Sequence, residues 1–136
     1  MARSFLFVLI IQTALFISCT EKNEIVTPYS NTPVVANTQN AFAYTIVAHN
    51  YSVTADYNLN FSSDSLAYSL IISGYSSGNG LLRVGKLINS SYIYQEQLNS
   101  NKVVAFTDTV SHVPDYIHLE FNNYSGSISF SLAKNN

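Results

Sequence analysis

From Tyr51 to Ser62 the chain alternates without a break. Tyr51, Val53, Ala55, Tyr57, Leu59 and Phe61 fall on odd numbers, and Ser52, Thr54, Asp56, Asn58, Asn60 and Ser62 on even ones. A strand turns successive side chains to opposite faces, whereas a helix returns to one face every three or four residues. A strict period of two therefore admits only a strand with one dry and one wet side. A strand of that kind has to bury its dry side against another layer. Just upstream, Phe42, Tyr44, Ile46 and Ala48 alternate on even numbers. The dry side thus changes phase across His49-Asn50, where a turn or a bulge takes up the extra residue.

The rest of the chain repeats the pattern. Leu66, Tyr68, Leu70 and Ile72 mark a strand after the turn Ser62-Ser63-Asp64, and Ile71 and Ala67 on its other phase place it centrally. The loop Gly74 to Gly80 contains an Asn-Gly pair, which tolerates the positive φ angles of a tight hairpin. Short strands follow at Leu81 to Ile88, Tyr92 to Leu98 and Lys102 to Val110, separated by Asn89-Ser90-Ser91 and Asn99-Ser100-Asn101. After Ser111-His112-Val113-Pro114-Asp115 the chain closes with Ile117, Leu119 and Phe121, a turn from Asn122 to Gly126, and then Ile128, Phe130 and Leu132. About eight short strands at spacings of roughly 8 to 12 residues, with no helical period, predict an all-β fold: a single antiparallel β-sandwich over residues 41–136. No connection is long enough for a parallel crossover. The ending, strand to Gly126 to strand, resembles the last hairpin of small jelly-roll modules in secreted bacterial enzymes and carbohydrate-binding domains. An immunoglobulin-like sandwich of seven strands is the alternative.

Only 10% of the residues are charged and the net charge is -2. Nucleic-acid binding needs clustered lysine and arginine to displace counterions from phosphates, and no such cluster exists, so that class is excluded. Cys19 is the sole cysteine. No disulfide can form within the chain, and stability has to come from packing. Serine, threonine and asparagine supply the wet faces, a surface suited to an uncharged polar partner such as a glycan.

The amino-terminal segment carries an address. Arg3 precedes the apolar run Phe5 to Ser18, the arrangement expected of an export signal. The run is shorter than the roughly 20 residues a helix needs to cross a bilayer. Its end, Leu15-Phe16-Ile17-Ser18-Cys19, resembles the lipobox of bacterial lipoproteins, although Phe16 stands where leucine is commonest. The resemblance implies that residues 1–18 are removed, that Cys19 is lipidated with diacylglycerol and further acylated (palmitate or a similar chain), and that the protein is held on the membrane. Ordinary secretion, with Cys19 incidental, is the alternative. Thr20 follows the cysteine where an aspartate would resemble the inner-membrane retention signal of enteric lipoproteins, so the resemblance implies the outer membrane, and Glu21-Lys22-Asn23-Glu24 resembles the surface-export tag of Bacteroidetes lipoproteins. Residues 19–40 contain Pro28 and Pro33 and show no sustained period, which predicts a flexible tether.

Candidate chemistry is sparse. His112, Asp115 and His118 could supply two imidazoles and a carboxylate to a metal, but Pro114 prevents the helix that would stack them, and no metal or other cofactor is expected. Asp56, Asn58, Asn60 and Asp64 lack the glycine and glutamate of a calcium loop. No Gly-x-Ser-x-Gly elbow occurs, and Glu96, Glu120, Asp108 and Asp115 form no motivated acid-base pair. The expectation is therefore a non-catalytic module, and a small hydrolase would require two or more of His112, Asp115, His118, Glu120 and Glu96 to converge in a pocket. Tyrosine is the suggestive residue type. Tyr75 in a glycine-rich loop, Tyr124 in the last turn, and Tyr92 and Tyr94 beside Glu96 are candidate contacts for a glycan or an envelope protein. Asp64-Ser65-Leu66 and Asp108-Thr109-Val110 resemble the Bacteroidetes O-glycosylation sequon, which implies modification at Ser65 and Thr109. A structural envelope lipoprotein without a ligand is the runner-up to the binding module.

Overall fold

The computed structural model describes residues 30–86 and 91–135, and the export signal, Cys19 and the Glu21 to Glu24 group lie outside them. Six strands run in chain order: β1 (Val34–Asn37), β2 (Ala41–Asn58), β3 (Ser65–Lys86), β4 (Ser91–Gln97), β5 (Lys102–Thr109) and β6 (Tyr116–Lys134). Every pairing between them is antiparallel, and they form one sheet in the order β1-β2-β6-β3-β4 with β5 also on β3. β6 is the centre, paired to β2 on one side and to β3 on the other along its length. The far edge of β3 is shared, β5 taking Ser65 to Ile72 and β4 taking Leu81 to Lys86.

The three long strands bend at one level. Register shifts between Ala48 and Val53 in β2, between Ser73 and Asn79 in β3, and opposite both in β6 between Phe121 and Gly126. Asn50 and Asn123 take φ of 49° and 50° there, and Gly74 and Gly78 take 60° and 84°. Glycine reaches such angles without a Cβ clash, and asparagine is the side chain that best tolerates them. The bend is sharp enough to close the sheet on itself. The rings of Phe42 and Tyr57 lie 5.3 Å apart, and Tyr44 meets Phe121 at 6.2 Å. In a straight strand Phe42 and Tyr57 would stand about 50 Å apart.

Two facing layers result, each built from halves of the same strands. The first is β1, residues 41–48 of β2, 126–134 of β6, 65–73 of β3, and β5. The second is residues 51–58 of β2, 116–121 of β6, 79–86 of β3, and β4. Between them Phe42, Tyr44, Ile46, Leu66, Leu70, Ile128, Phe130 and Leu132 of the first layer pack on Leu82, Val84, Ile117, Leu119 and Phe121 of the second. All are essentially removed from water. Apolar area leaving water contributes about 25 cal/mol per Å², and burying these side chains stabilises the closed sheet on that scale. The turn after β4 carries the chain between layers. Leu98 donates its N–H to the Gly80 carbonyl at 2.8 Å, and Lys102 Nζ reaches Glu96 Oε1 and the Gln97 carbonyl, each at 2.8 Å.

The described residues are all-β and antiparallel, as their alternation predicts, but the eight expected strands are six among them. Gly74 to Gly80 and Asn122 to Gly126 are not hairpin turns; they are bends inside β3 and β6, and His49-Asn50 is the matching bend inside β2. Separate jelly-roll or immunoglobulin sheets therefore give way to one creased sheet. The sheet also starts before residue 41. Val34–Asn37 pairs with Thr45 to Phe42, so β1 lies in the stretch expected to be tether.

Directly paired residues share a face, and the register makes the two outer faces very different. On the first layer one row runs Val34, Thr45, Ser129, Ile71, Val103, and the next runs Ala36, Ala43, Ser131, Ser69, Ala105. A third is Ala41, Ala133, Ala67 and Thr107, and none of these rows holds a charge. On the second layer Asp56, His118, Arg83 and Gln95 form a row, flanked by Thr54, Glu120, Leu81, Gln97 on one side and Asn58, Tyr116, Gly85, Tyr92 on the other.

Candidate functional site

Four strands each contribute one polar side chain to the central row of the second outer face. Asp56 Oδ1 accepts a hydrogen bond from the Tyr116 hydroxyl at 2.7 Å. His118 Nδ1 stands 2.7 Å from the same oxygen, a spacing at which the ring nitrogen donates to the carboxylate. The rings of Tyr116 and His118 stack, with centroids 6.2 Å apart. His118 Nε2 looks toward Glu120 Oε2 at 3.9 Å. On the next strand Arg83 Nε donates to Gln95 Oε1 at 3.0 Å, and its guanidinium lies 5.0 Å from the centre of the Tyr92 ring. A cation over an aromatic face is held by the ring quadrupole, worth about 0.5–1 kcal/mol at an exposed site.

Electrostatics follow from these bonds. The hydrogen bond from Tyr116, then that from His118, holds the Asp56 carboxyl below its ordinary value of 3.8. Burial, followed by the bond to Asp56, pushes the Tyr116 phenol up to about 12. Both groups keep one protonation state across the neutral range, so the array presents fixed donors and acceptors. A depression lined by Asn79, Gly80, Leu81, Gln97, Glu120 and Asn122 adjoins it. The whole lies on an open sheet face with Asp56, Glu120, Gln95 and Tyr92 in water. Such a surface can exchange hydrogen bonds with a hydroxyl-rich ligand and stack a sugar or a planar group on Tyr92.

The tyrosines singled out from the sequence are scattered. Tyr92 is exposed at 41%. A register shift between Val84 and Gly85 puts it on the outer face, so Tyr92 and Tyr94 do not share a side as their spacing implies. Tyr94 points inward with Glu96, its ring against Tyr68 and Phe106 and its hydroxyl 3.5 Å from Glu96 Oε2. Tyr75 donates to the Gly78 carbonyl at 2.7 Å and packs on Tyr124. Tyr124 is fully buried, because the segment read as a turn is a bend that drives its ring between the layers. Of the five residues from which a hydrolase would draw two or more, His118 and Glu120 are neighbours at 3.9 Å on the open face, with Glu120 also lining the shallow depression. Among the described residues no three His, Cys, Asp or Glu side chains assemble to hold a metal ion. Ser65 and Thr109, the sequon hydroxyls, are direct partners across β3 and β5; Thr109 is exposed, and Ser65 Oγ accepts from Asn135 Nδ2 at 3.3 Å. Tyr116, Arg83 and Gln95 escaped the sequence reading. Their outer phase was visible, but which strands would bring them side by side was not.

No family model matches the chain, and no curated protein matches it. Two solved structures match parts of the chain's backbone. One, of Bacillus endospore appendages described as a novel family of disulfide-linked pili, is 11% identical, with a TM-score of 0.45 over 87% of this chain and 97% of that one. The other, the capsular polysaccharide assembling protein CapF from Staphylococcus aureus, is 9% identical with a TM-score of 0.33; the match covers 80% of this chain and 30% of that one.

Proposed function

We propose that the protein is a non-catalytic binding module of the bacterial cell envelope. It is held to the outer membrane by acyl chains on Cys19, and the outer face of its second layer contacts a glycan. The observation that carries the reading is the row Asp56, His118, Arg83, Gln95 with the Tyr92 ring beside it. Coplanar donors and acceptors on a rigid sheet, next to a ring, match the alternating hydroxyls and apolar faces of a sugar chain. Openness to water speaks against acid-base catalysis there, since a general acid gains its altered proton affinity from burial and neighbouring charge. Two acyl chains make attachment stable where one binds only reversibly.

Glycan-array binding followed by NMR titration of the best hit tests the site. Tyr92→Ala and Arg83→Ala each weaken binding about tenfold, equivalent to about 1.4 kcal/mol, while Thr107→Ala, on the outer face of the other layer, leaves it unchanged. A flat array and unperturbed Tyr92 and Arg83 resonances would leave a structural lipoprotein without a ligand. Mass spectrometry of the native amino terminus tests the anchor separately: an unmodified Cys19 removes the membrane address and leaves the face to be judged on its own.

A further inference from the structure

The outer face of the first layer has no part in the proposed glycan site, and its composition is unusual for a surface in water. Val34 is 69% exposed and Val103 74%, and Val47 and Ile71 are each 44% exposed. These four are most of the exposed large aliphatic side chains among the described residues, and all stand in one row or in the row beside it. Between them lie only alanine, serine and threonine. Nothing larger than threonine stands between the aliphatic side chains, and Thr45 and Ser129 already bond to each other at 3.3 Å rather than reaching outward.

We infer that this face is a self-association surface, packing against the same face of a second copy of the chain. Charge argues for a copy over a charged partner. The face carries no ionised group, so two copies meet without like-charge repulsion, and a charged partner would lose hydration with nothing to pair. Side-chain size argues likewise, because a face with only small residues between its aliphatic ones lets the same face of a second copy approach about a two-fold axis. The absence of any ring or long polar side chain removes what a glycan would need. Size also fits. Five strands about 4.8 Å apart and some seven residues rising about 3.3 Å each give roughly 24 Å by 23 Å, hence roughly 1,100 Å² over two copies. That clears the roughly 1,000 Å² a specific interface needs and falls below the roughly 1,200 Å² at which standard ones begin, so the dimer is a reversible one.

The test is native mass spectrometry of the full-length chain released from detergent micelles over a concentration series. The variants Ile71→Lys and Ser129→Lys place a charge in the middle of the face, and Thr54→Lys places the same charge on the opposite layer. All three positions are in contact with water, and circular dichroism checks that each variant keeps the β spectrum. The expected result is a concentration-dependent dimer whose dissociation constant rises at least tenfold in Ile71→Lys and Ser129→Lys and by less than twofold in Thr54→Lys. A chain that stays monomeric at every concentration overturns the inference, and so does a dimer that all three variants weaken equally or that neither face variant weakens.

Discussion

Tyr116 couples the titration of Asp56 to the packing of β6, because one hydroxyl both lies against His118 and donates to the carboxylate. A carboxyl held below its unfolded value adds stability above pH 3.8 and loses it as the pH falls through the lower folded value. In Tyr116→Phe the first of the two bonds disappears while the ring remains. Asp56 then titrates closer to 3.8, which a carboxyl-carbon NMR titration reads directly. The glycines at the bends separate two kinds of cost. A Cβ on Gly78 would run into the Asn123 carbonyl at a φ of +84°, whereas one on Gly74, at +60°, meets nothing within 4 Å. Gly78→Ala therefore lowers unfolding free energy by about 3 kcal/mol or more, from strain plus collision. Gly74→Ala costs about 1 kcal/mol, from backbone conformation alone, and urea denaturation of the pair shows the difference. Single residues were partly legible beforehand. His118 and Glu120 on an outer phase and Phe42 or Leu119 on an inner one follow from alternation, but the burial of Tyr124 does not, since it depends on a bend that three strands make together.

At the level of elements, the sequence marks the bends clearly and misstates what they are. Asn-Gly and Gly-rich segments supply positive φ both to hairpins and to bulges, so local composition at Gly74 to Gly80 cannot distinguish a chain that reverses from one that folds over and continues. The distinction is made by β6, which pairs with β2 and β3 on both sides of the crease. β1 was missed for the converse reason: Val34–Asn37 is too short to show a period and is exposed throughout. These positions set an order of local stability. Native-state hydrogen exchange is expected to be slowest in β6, at amides such as Leu119 and Phe130 that are flanked on both sides, and fastest in β1, the shortest of the three strands with one neighbour. Protection in β1 equal to that in β6 would contradict the observed strand order.

Across the whole molecule, the core is unusually phenolic. Tyr68, Tyr94 and Tyr124 are pushed up to about 12 and Tyr44 higher still, in each case by burial first. A raised phenol contributes stability that is complete below its unfolded value of 10.0 and is lost as the pH rises through the folded value. Stability is therefore expected to hold up to pH 10 and collapse between there and pH 12, with phenolate absorbance of these rings appearing together with unfolding rather than before it. The crease has a mechanical corollary. Ser30 bridges to Val47 and Asn31 bonds His49 beside the bend, while Asn135 bonds Ser65 at the opposite end of the first layer. The two ends of the described chain thus leave in opposite directions along the strands. Sheet hydrogen bonds lie across that direction, so a pull between those two ends strains many of them at once in shear, instead of unzipping them one by one.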